Sequence, residues 1–113
     1  MKEADVILAT LPQANGNLKK RPAIFLRMMP PYNDCLVCGV SSQLHQYVEG
    51  FDELVLLSDT DFEQSGLLTS SVIRLSFLAV IPRQQVVGSI GLLSKERHVR
   101  LLRRLSDFLV DNL

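Results

Sequence analysis

The sequence predicts a mainly β fold, a small and strongly curved antiparallel sheet or open barrel with one C-terminal helix. Several short apolar runs are separated by segments rich in proline, glycine and asparagine, which is typical of short strands joined by turns. From residue 94 onward the apolar spacing changes to that of a helix. The 113 residues are enough to bury a core, and we expect a single domain over residues 1–113.

The first half of the chain alternates between predicted strands and turns. Strands are expected at residues 5–9, 21–28 and 35–40, separated by a polar loop and by a turn that contains two adjacent prolines. Proline fixes its own backbone angle and restricts the residue before it, so this turn ends the second strand. Pro22 can lie in that strand only near its start or at a sheet edge, because proline has no N–H to donate.

The second half adds three apolar runs that predict strands, at residues 54–57, 70–81 and 86–92. Between the first two of these runs, Ser58 or Asp59 can cap a single helical turn that ends at Gly66. Gly88 and Gly91 in the last run indicate a bulge or a close approach of two backbones.

The C-terminal segment predicts an amphipathic helix capped by Ser94. Its apolar arc consists of Leu101, Leu102, Leu105, Phe108 and Leu109. Its opposite arc consists of Arg97, Arg100, Arg103 and Arg104. Glu96 and Asp107 lie four residues from Arg100 and Arg103, so ion pairs within the helix are a better interpretation of these arginines than an RNA-binding stripe.

Charge is balanced in total but uneven along the chain. Twelve basic and twelve acidic residues cancel, so net charge gives no argument for nucleic-acid binding. Residues 19–27 hold four bases and no acid, whereas residues 49–63 hold six acids and no base. The fold can gather these segments into separate basic and acidic faces. For the acidic segment, solvated loop positions are a better interpretation than a carboxylate pair for acid–base chemistry.

Composition and cysteine spacing argue against several functional classes. Apolar residues make up 47% of the chain and charged residues 21%, which excludes intrinsic disorder. No apolar run is long enough for a membrane-spanning helix, and the acidic start is not expected to be a signal peptide. Cys35 and Cys38 are three residues apart in a predicted buried strand, so their thiols should point to opposite faces. We therefore expect core cysteines in a reducing, cytoplasmic protein, with a thiol-redox function as a distant alternative.

Three places in the sequence could carry chemistry. Arg21 follows two lysines where a polar loop enters a strand, Ser41 begins a short polar stretch after a buried strand, and Arg74 interrupts an apolar strand. Each has an ordinary alternative: a solvated basic turn, common turn chemistry, and a charge that protects a sheet edge. No glycine-rich phosphate loop, nucleophile elbow or metal-ligand spacing is present.

In their order along the chain, these places resemble the MazF/PemK family of toxin ribonucleases. The matching motifs are Leu11-Pro12, Lys20-Arg21-Pro22-Ala23, Val40-Ser41-Ser42-Gln43, Gly66-Leu67, Ser71-Val72-Ile73-Arg74, and Ile90-Gly91 before the terminal helix. The resemblance covers nearly the whole chain, and the number and spacing of the motifs make it specific although each motif alone is weak. It implies an SH3-like curved barrel with a C-terminal helix, the same fold class that the strands and helix predict.

The resemblance also implies an activity, its residues and its partners. It implies the toxin of a type II toxin–antitoxin pair, which cuts single-stranded RNA with the ribose 2′-hydroxyl as nucleophile and needs neither metal nor cofactor. The catalytic residues it implies are Arg21, Ser41 and Arg74, and the RNA-binding residues are Lys19, Lys20, Ser42 and Gln43. The partners it implies are single-stranded RNA, an antitoxin whose acidic segment covers the basic site, and a second copy in a homodimer, with no membrane involved.

The sequence departs from the family pattern where an acid–base group is expected. Several relatives place an acid or histidine in the loop before the Arg-Pro motif, but residues 10–20 contain neither. Others place an acid two residues after the equivalent of Arg74, where this chain has Ser76, and Ala4 replaces a customary glycine. The general base is therefore unassigned, with His45 a weak candidate. The alternative is a degenerate barrel of the same fold that binds RNA or a protein without cutting.

Overall fold

The computed structural model describes residues 1–111 and 113 of the chain. Within these residues the strands are β1 (Asp5–Pro12), β2 (Leu18–Met29), β3 (Asp34–Ser41), β4 (Glu53–Val55), β5 (Ser71–Ile81) and β6 (Val86–Leu92), followed by the helix α1 (Lys95–Val110). The strands form one antiparallel sheet in the order β4-β5-β3-β2-β1-β6. The predicted fold class, a curved antiparallel sheet with a C-terminal helix, is confirmed.

The sheet has a buried cluster on each of its faces. Neighbouring residues alternate between the clusters, as the two-residue period of a strand requires: Ile24 packs on the α1 side with Leu101 and Leu105, and Phe25 packs on the other side. That second cluster joins side chains from β1, β2, β3 and β5, with Val86 of β6 packed against it. The cluster therefore spans five neighbouring strands of the sheet, which curls around it as a half-barrel.

The cysteines lie where the sequence predicts. Cys38 belongs to the cluster under α1 and Cys35 to the opposite one, and both are free and fully buried. Burial raises the pKa of both thiols, which disfavours the reactive thiolate form. The two residues act as parts of the core.

The β1–β2 hairpin is longer than predicted, and Pro22 lies inside β2. Arg21 and Pro22 pair with Ala9 and Leu8 of β1, whereas pairing with β3 begins only at Ala23. Pro22 therefore lies where β2 has a neighbour on one side only. Although β2 lies inside the sheet, Pro22 has no β3 residue paired with it, so its missing N–H breaks no hydrogen bond on that side.

The prediction for the arginine arc of α1 is wrong at Arg97. This residue is only 7% exposed, and its guanidinium donates to Asp61, Asp59 and Glu53. The end of the predicted apolar arc is instead exposed, since Phe108 and Leu109 show more than half of their surface. Ser94 caps the helix as expected, accepting a hydrogen bond from the Arg97 N–H at 3.2 Å.

The predicted solvation of the acidic segment is also wrong in part. Glu53 is 6% exposed and accepts from Arg97, Arg100 and Arg104, while Asp52 is fully buried. Arg100 therefore pairs with β4 rather than with Glu96 of its own helix. The helical spacing of the arginines in α1 cannot show this arrangement, because Glu53 lies more than forty residues earlier in the chain.

Candidate active site

Arg21, Ser41 and Arg74 line one small cavity. Three adjacent strands bring them together, since Gly39 of β3 pairs with Ala23 of β2 on one side and with Arg74 of β5 on the other. The cavity has a volume of about 40 Å³, and its remaining lining consists of Leu11, Pro22, Gly39, Val40 and Phe77. The three catalytic residues implied by the resemblance are thus neighbours in space.

Arg21 is held by Gln13, a residue that is not predicted from the sequence as part of the site. Gln13, just after β1, accepts two hydrogen bonds at Oε1, from Arg21 Nε at 3.0 Å and from Arg21 Nη2 at 2.5 Å. Its own amide nitrogen donates to the Leu11 carbonyl at 3.5 Å. The loop contains several polar residues, and only the pairing register of β1 with β2 shows that Gln13 is the one that contacts Arg21. The contact fixes the guanidinium while leaving its positive charge uncompensated.

Arg74 presents an unpaired donor. Its Nε atom is buried, and within the described residues it has no hydrogen-bond partner. A buried N–H without an acceptor costs about 1–3 kcal/mol, a penalty that an anion would relieve if it reached this atom. Phosphate oxygens are suitable acceptors because a guanidinium stays charged and can contact two of them together.

An irregularity in β5 places Arg74 beside an aromatic ring. Pairing with β3 jumps from Arg74 to Leu78, so residues 75–77 are extra in β5. Phe77, in this bulge, covers Gly39, where an added Cβ atom would lie 3.2 Å from the ring. Phe77 is not predicted as a site residue from the sequence, because the bulge that turns it toward the cavity has no signature in a run of apolar residues.

The predicted RNA-binding residues are spread more widely. Ser42 lies in an adjoining apolar pocket of about 350 Å³, which shares Pro22 and Val40 with the cavity. Lys19 and Lys20 are exposed on the hairpin that leads to Arg21. Gln43 is exposed, and its backbone N–H donates to Ser41 Oγ at 3.1 Å. None of these four residues lines the cavity itself.

The site is cationic and has no acid–base side chain. Among the described residues, no carboxylate forms an ion pair with the four cations of this region, Lys19, Lys20, Arg21 and Arg74. The cavity lining contains no aspartate, glutamate or histidine. His45 lies exposed on a 3-10 turn, and His98 Nε2 lies 2.8 Å from the Leu26 carbonyl oxygen on the α1 side.

Comparison with known proteins supplies the decisive observation. The sequence model of the family described as "PemK-like, MazF-like toxin of type II toxin-antitoxin system" matches residues 2–109. The chain belongs to this family. Among solved structures, the chain is similar to the Mycobacterium tuberculosis toxin MazF-mt6, with a TM-score of 0.70 and 19% sequence identity over 95% of this chain and 98% of that one. A comparison with curated proteins gives no match.

Membership of the PemK/MazF-like toxins agrees with the fold and with the motifs that line the cavity. One departure from the family pattern is visible in the backbone, where Ala4 adopts a positive φ of 77° that glycine would adopt without strain. No helix in the described part of the chain is long and apolar enough to cross a membrane. Across residues 1–111 and 113, no group of three histidine, cysteine or acidic side chains is placed to hold a metal ion.

Proposed function

We propose that this toxin is a metal-independent endoribonuclease that cuts single-stranded RNA. The observation that supports the proposal is the convergence of Arg21, Ser41 and Arg74 in one cavity, where Arg74 has an unpaired buried donor. Donors fixed in advance around one point suit a phosphate that gains charge in the transition state. Family membership supports the same activity.

In the proposed reaction, the ribose 2′-oxygen attacks the adjacent phosphorus and the bond from phosphorus to the 5′-oxygen breaks. The products are a 2′,3′-cyclic phosphate and a 5′-hydroxyl end. Arg21 and Arg74 stabilise the charge that builds on the phosphoryl oxygens, and Ser41 donates to one of them. The 2′-hydroxyl proton passes to solvent water, and water protonates the departing oxygen, since no acidic or imidazole side chain lines the cavity.

The missing general base favours slow cleavage. General acid–base catalysis contributes about 10²- to 10⁴-fold to such reactions, and this cavity has to act without that contribution. The same observation is the reason to keep a second candidate function, a barrel that binds RNA or a protein partner without cutting. The two functions differ in whether cut RNA appears at all.

The proposal extends to assembly and location. We propose a single domain over residues 1–113 that forms a homodimer in the cytoplasm and is neutralised by a cognate antitoxin. Val87, Ile90 and Leu92 of the edge strand β6 are all more than 40% exposed, and this apolar edge could pair with a second copy. Sedimentation at micromolar concentration should show two chains, and a strict monomer would contradict the homodimer.

The test of the nuclease is single-turnover cleavage of a long unstructured RNA in excess EDTA. Cleavage should persist, leave a 5′-hydroxyl end, and fail on RNA with a 2′-deoxyribose at the cut. Arg21→Ala should lose about 10²- to 10³-fold in rate, as expected for a fixed transition-state donor, while Ser41→Ala should lose less because the nucleophile belongs to the substrate.

Two controls make the assay decisive. Arg27→Ala removes an exposed arginine of the same strand that pairs with Glu3, outside the cavity, and should cleave like wild type. Circular dichroism and thermal melting of each variant report folding. Cleavage that depends on a metal, or full activity in Arg21→Ala, would refute the mechanism. If wild type binds RNA with a salt-dependent affinity but never cuts it, the non-cleaving barrel is correct.

A further inference from the structure

A second concave surface lies at the C-terminal end of α1. This end groove has a volume of about 520 Å³. Its floor is apolar and its rim acidic, the floor residues being Val48, Phe51 and Phe108 and the rim residues Glu49, Asp107 and Asp111. None of these residues belongs to the cavity of Arg21, Ser41 and Arg74.

The floor exposes aromatic and aliphatic surface that a monomer normally buries. The rings of Phe51 and Phe108 pack with centroids 4.9 Å apart, yet Phe108 is 57% exposed and Val48 is 53% exposed. The next two helix residues, Leu109 and Val110, are 61% and 65% exposed. Clustered apolar surface with a polar rim is typical of an interaction site.

The acidic rim residues form no ion pair within the described part of the chain. The one basic residue in the groove, Arg104, is already engaged, because its Nη1 donates to the Asp52 carbonyl at 2.8 Å and to Glu53 Oε2 at 3.2 Å. Among the described residues, Glu49, Asp107 and Asp111 take part in no ion pair. An occupant of the groove therefore meets three carboxylates that form no ion pair with residues 1–111 or 113.

We propose that the end groove docks a basic, amphipathic protein segment, with an apolar side chain on the Phe51–Phe108 floor and lysine or arginine side chains against the rim. Complementary charge selects this occupant. RNA and an anionic membrane surface would be repelled by the rim. A symmetric dimer through the groove would set three carboxylates against three, because each copy presents the same surface. The inference is independent of the proposed nuclease, since it concerns different residues.

The test measures binding of two labelled helical peptides to the full chain by fluorescence anisotropy. One peptide carries leucine on one face and lysine on the other, and the second has glutamate in place of every lysine. The lysine peptide should bind wild type and the glutamate peptide should not. Phe108→Ala should weaken binding about tenfold, as for a central apolar contact. Val48→Ser removes apolar surface from the loop side of the groove and should also weaken binding.

The contribution of charge is tested separately. The double variant Asp107→Asn, Asp111→Asn should bind severalfold more weakly and lose most of the salt dependence of binding, since exposed charges are screened over about 10 Å at 0.1 M salt. Matched controls are Val80→Ala, which trims an equally exposed apolar residue on β5, and Glu96→Gln, which removes an exposed acid at the other end of α1. Both should bind like wild type, and thermal melting should show every variant folded.

Three results would overturn the inference. The first is equal affinity of wild type for the two peptides, including no binding of either. The second is a loss in the control variants as large as that in Phe108→Ala. The third is a wild-type oligomer that Phe108→Ala dissociates, because the occupant would then be a second copy of the chain.

Discussion

At the scale of single residues, the site depends on how two arginines are held. Arg21 is fixed by the neutral amide oxygen of Gln13, and Arg74 keeps a buried Nε–H without a partner. Neither guanidinium is neutralised by a carboxylate within the described residues. This arrangement keeps the full positive charge available for an anion, which a carboxylate in place of Gln13 would reduce.

We expect Gln13→Ala to slow RNA cleavage about tenfold without unfolding the protein. The variant frees Arg21 from the Gln13 oxygen that holds it, and a loosely held donor stabilises a transition state less well than a fixed one. Stability should change by only about 0.5 kcal/mol, because the residue lies in a surface loop. Single-turnover kinetics with a denaturation curve measure both effects. Asn15→Ala, in the same loop, is the control, and equal activity of the two variants would contradict a positioning role.

The sequence predicts part of this site and not the rest, for a physical reason. Arg21, Ser41 and Arg74 belong to motifs that are visible in the chain, and the three strands that carry them are predicted. Gln13 and Phe77 depend on the hairpin register and on the bulge after Arg74, and neither follows from local residue preferences. A single chain supplies no signal for such features, because they arise from pairing between distant segments.

At the scale of elements, backbone irregularities shape both the cavity and the loop beside it. The bulge in β5 is held by Asp52, whose buried carboxylate accepts the N–H groups of Leu75 and Val48, each at 3.0 Å. The loop after the 3-10 turn at Glu63–Ser65 packs its backbone on β6, where Gly66 lies against Ile90 and Gly91 lies against Ser65. The predicted turn that ends at Gly66 and the predicted close approach at Gly91 thus belong to the same contact. The N-cap of this turn is Phe62, not Ser58 or Asp59 as predicted.

This contact predicts different costs for two glycine substitutions with the same backbone strain. Gly66 and Gly50 have positive φ angles of 72° and 82°, so alanine at either position costs about 1 kcal/mol in backbone strain. At Gly66 the added Cβ would also lie 1.9 Å from the Ile90 carbonyl oxygen, whereas at Gly50 nothing lies within 4 Å. Gly66→Ala should lose about 3 kcal/mol or more in urea denaturation and Gly50→Ala about 1 kcal/mol. Similar losses in both variants would show that the loop does not contact β6 closely.

At the scale of the whole molecule, half of the six acids in residues 49–63 pair with arginines of the terminal helix instead of forming an acidic face. Glu53, Asp59 and Asp61 pair with Arg97, Arg100 and Arg104, so three negative and three positive charges cancel where α1 meets β4. The predicted acidic face of residues 49–63 does not form, since only Glu49 of this segment lines the end groove, beside Asp107 and Asp111 of the helix end. Within the described residues, Arg21 and Arg74 at the cavity and these three carboxylates at the groove form no ion pair.

The ion-pair network around Arg97 makes the stability of the fold depend on pH through the Asp61 carboxyl. Its hydrogen bonds with Arg97 lower the pKa of the Asp61 carboxyl to about 2 from an ordinary value of 3.8. Between these two values the unfolded chain binds more protons at this residue than the folded chain does. The stabilisation from Asp61 is therefore complete above about pH 4 and is lost as pH falls from about 4 to 2. Asp61→Asn removes the titrating group, so the difference in unfolding free energy between wild type and this variant should be constant above pH 4 and shrink below it.

Chemical denaturation at a series of pH values gives this difference directly, since the other carboxyl groups titrate in both proteins and cancel. Glu96→Gln provides the comparison, because Glu96 makes no ion pair within residues 1–111 and 113. If the Asp61→Asn difference stayed constant down to pH 2, Asp61 would have the same pKa in the folded and unfolded chains. The pairing with Arg97 would then add nothing to the ionised form of the Asp61 carboxyl, and the ionic attachment of α1 would depend on Glu53 and Asp59.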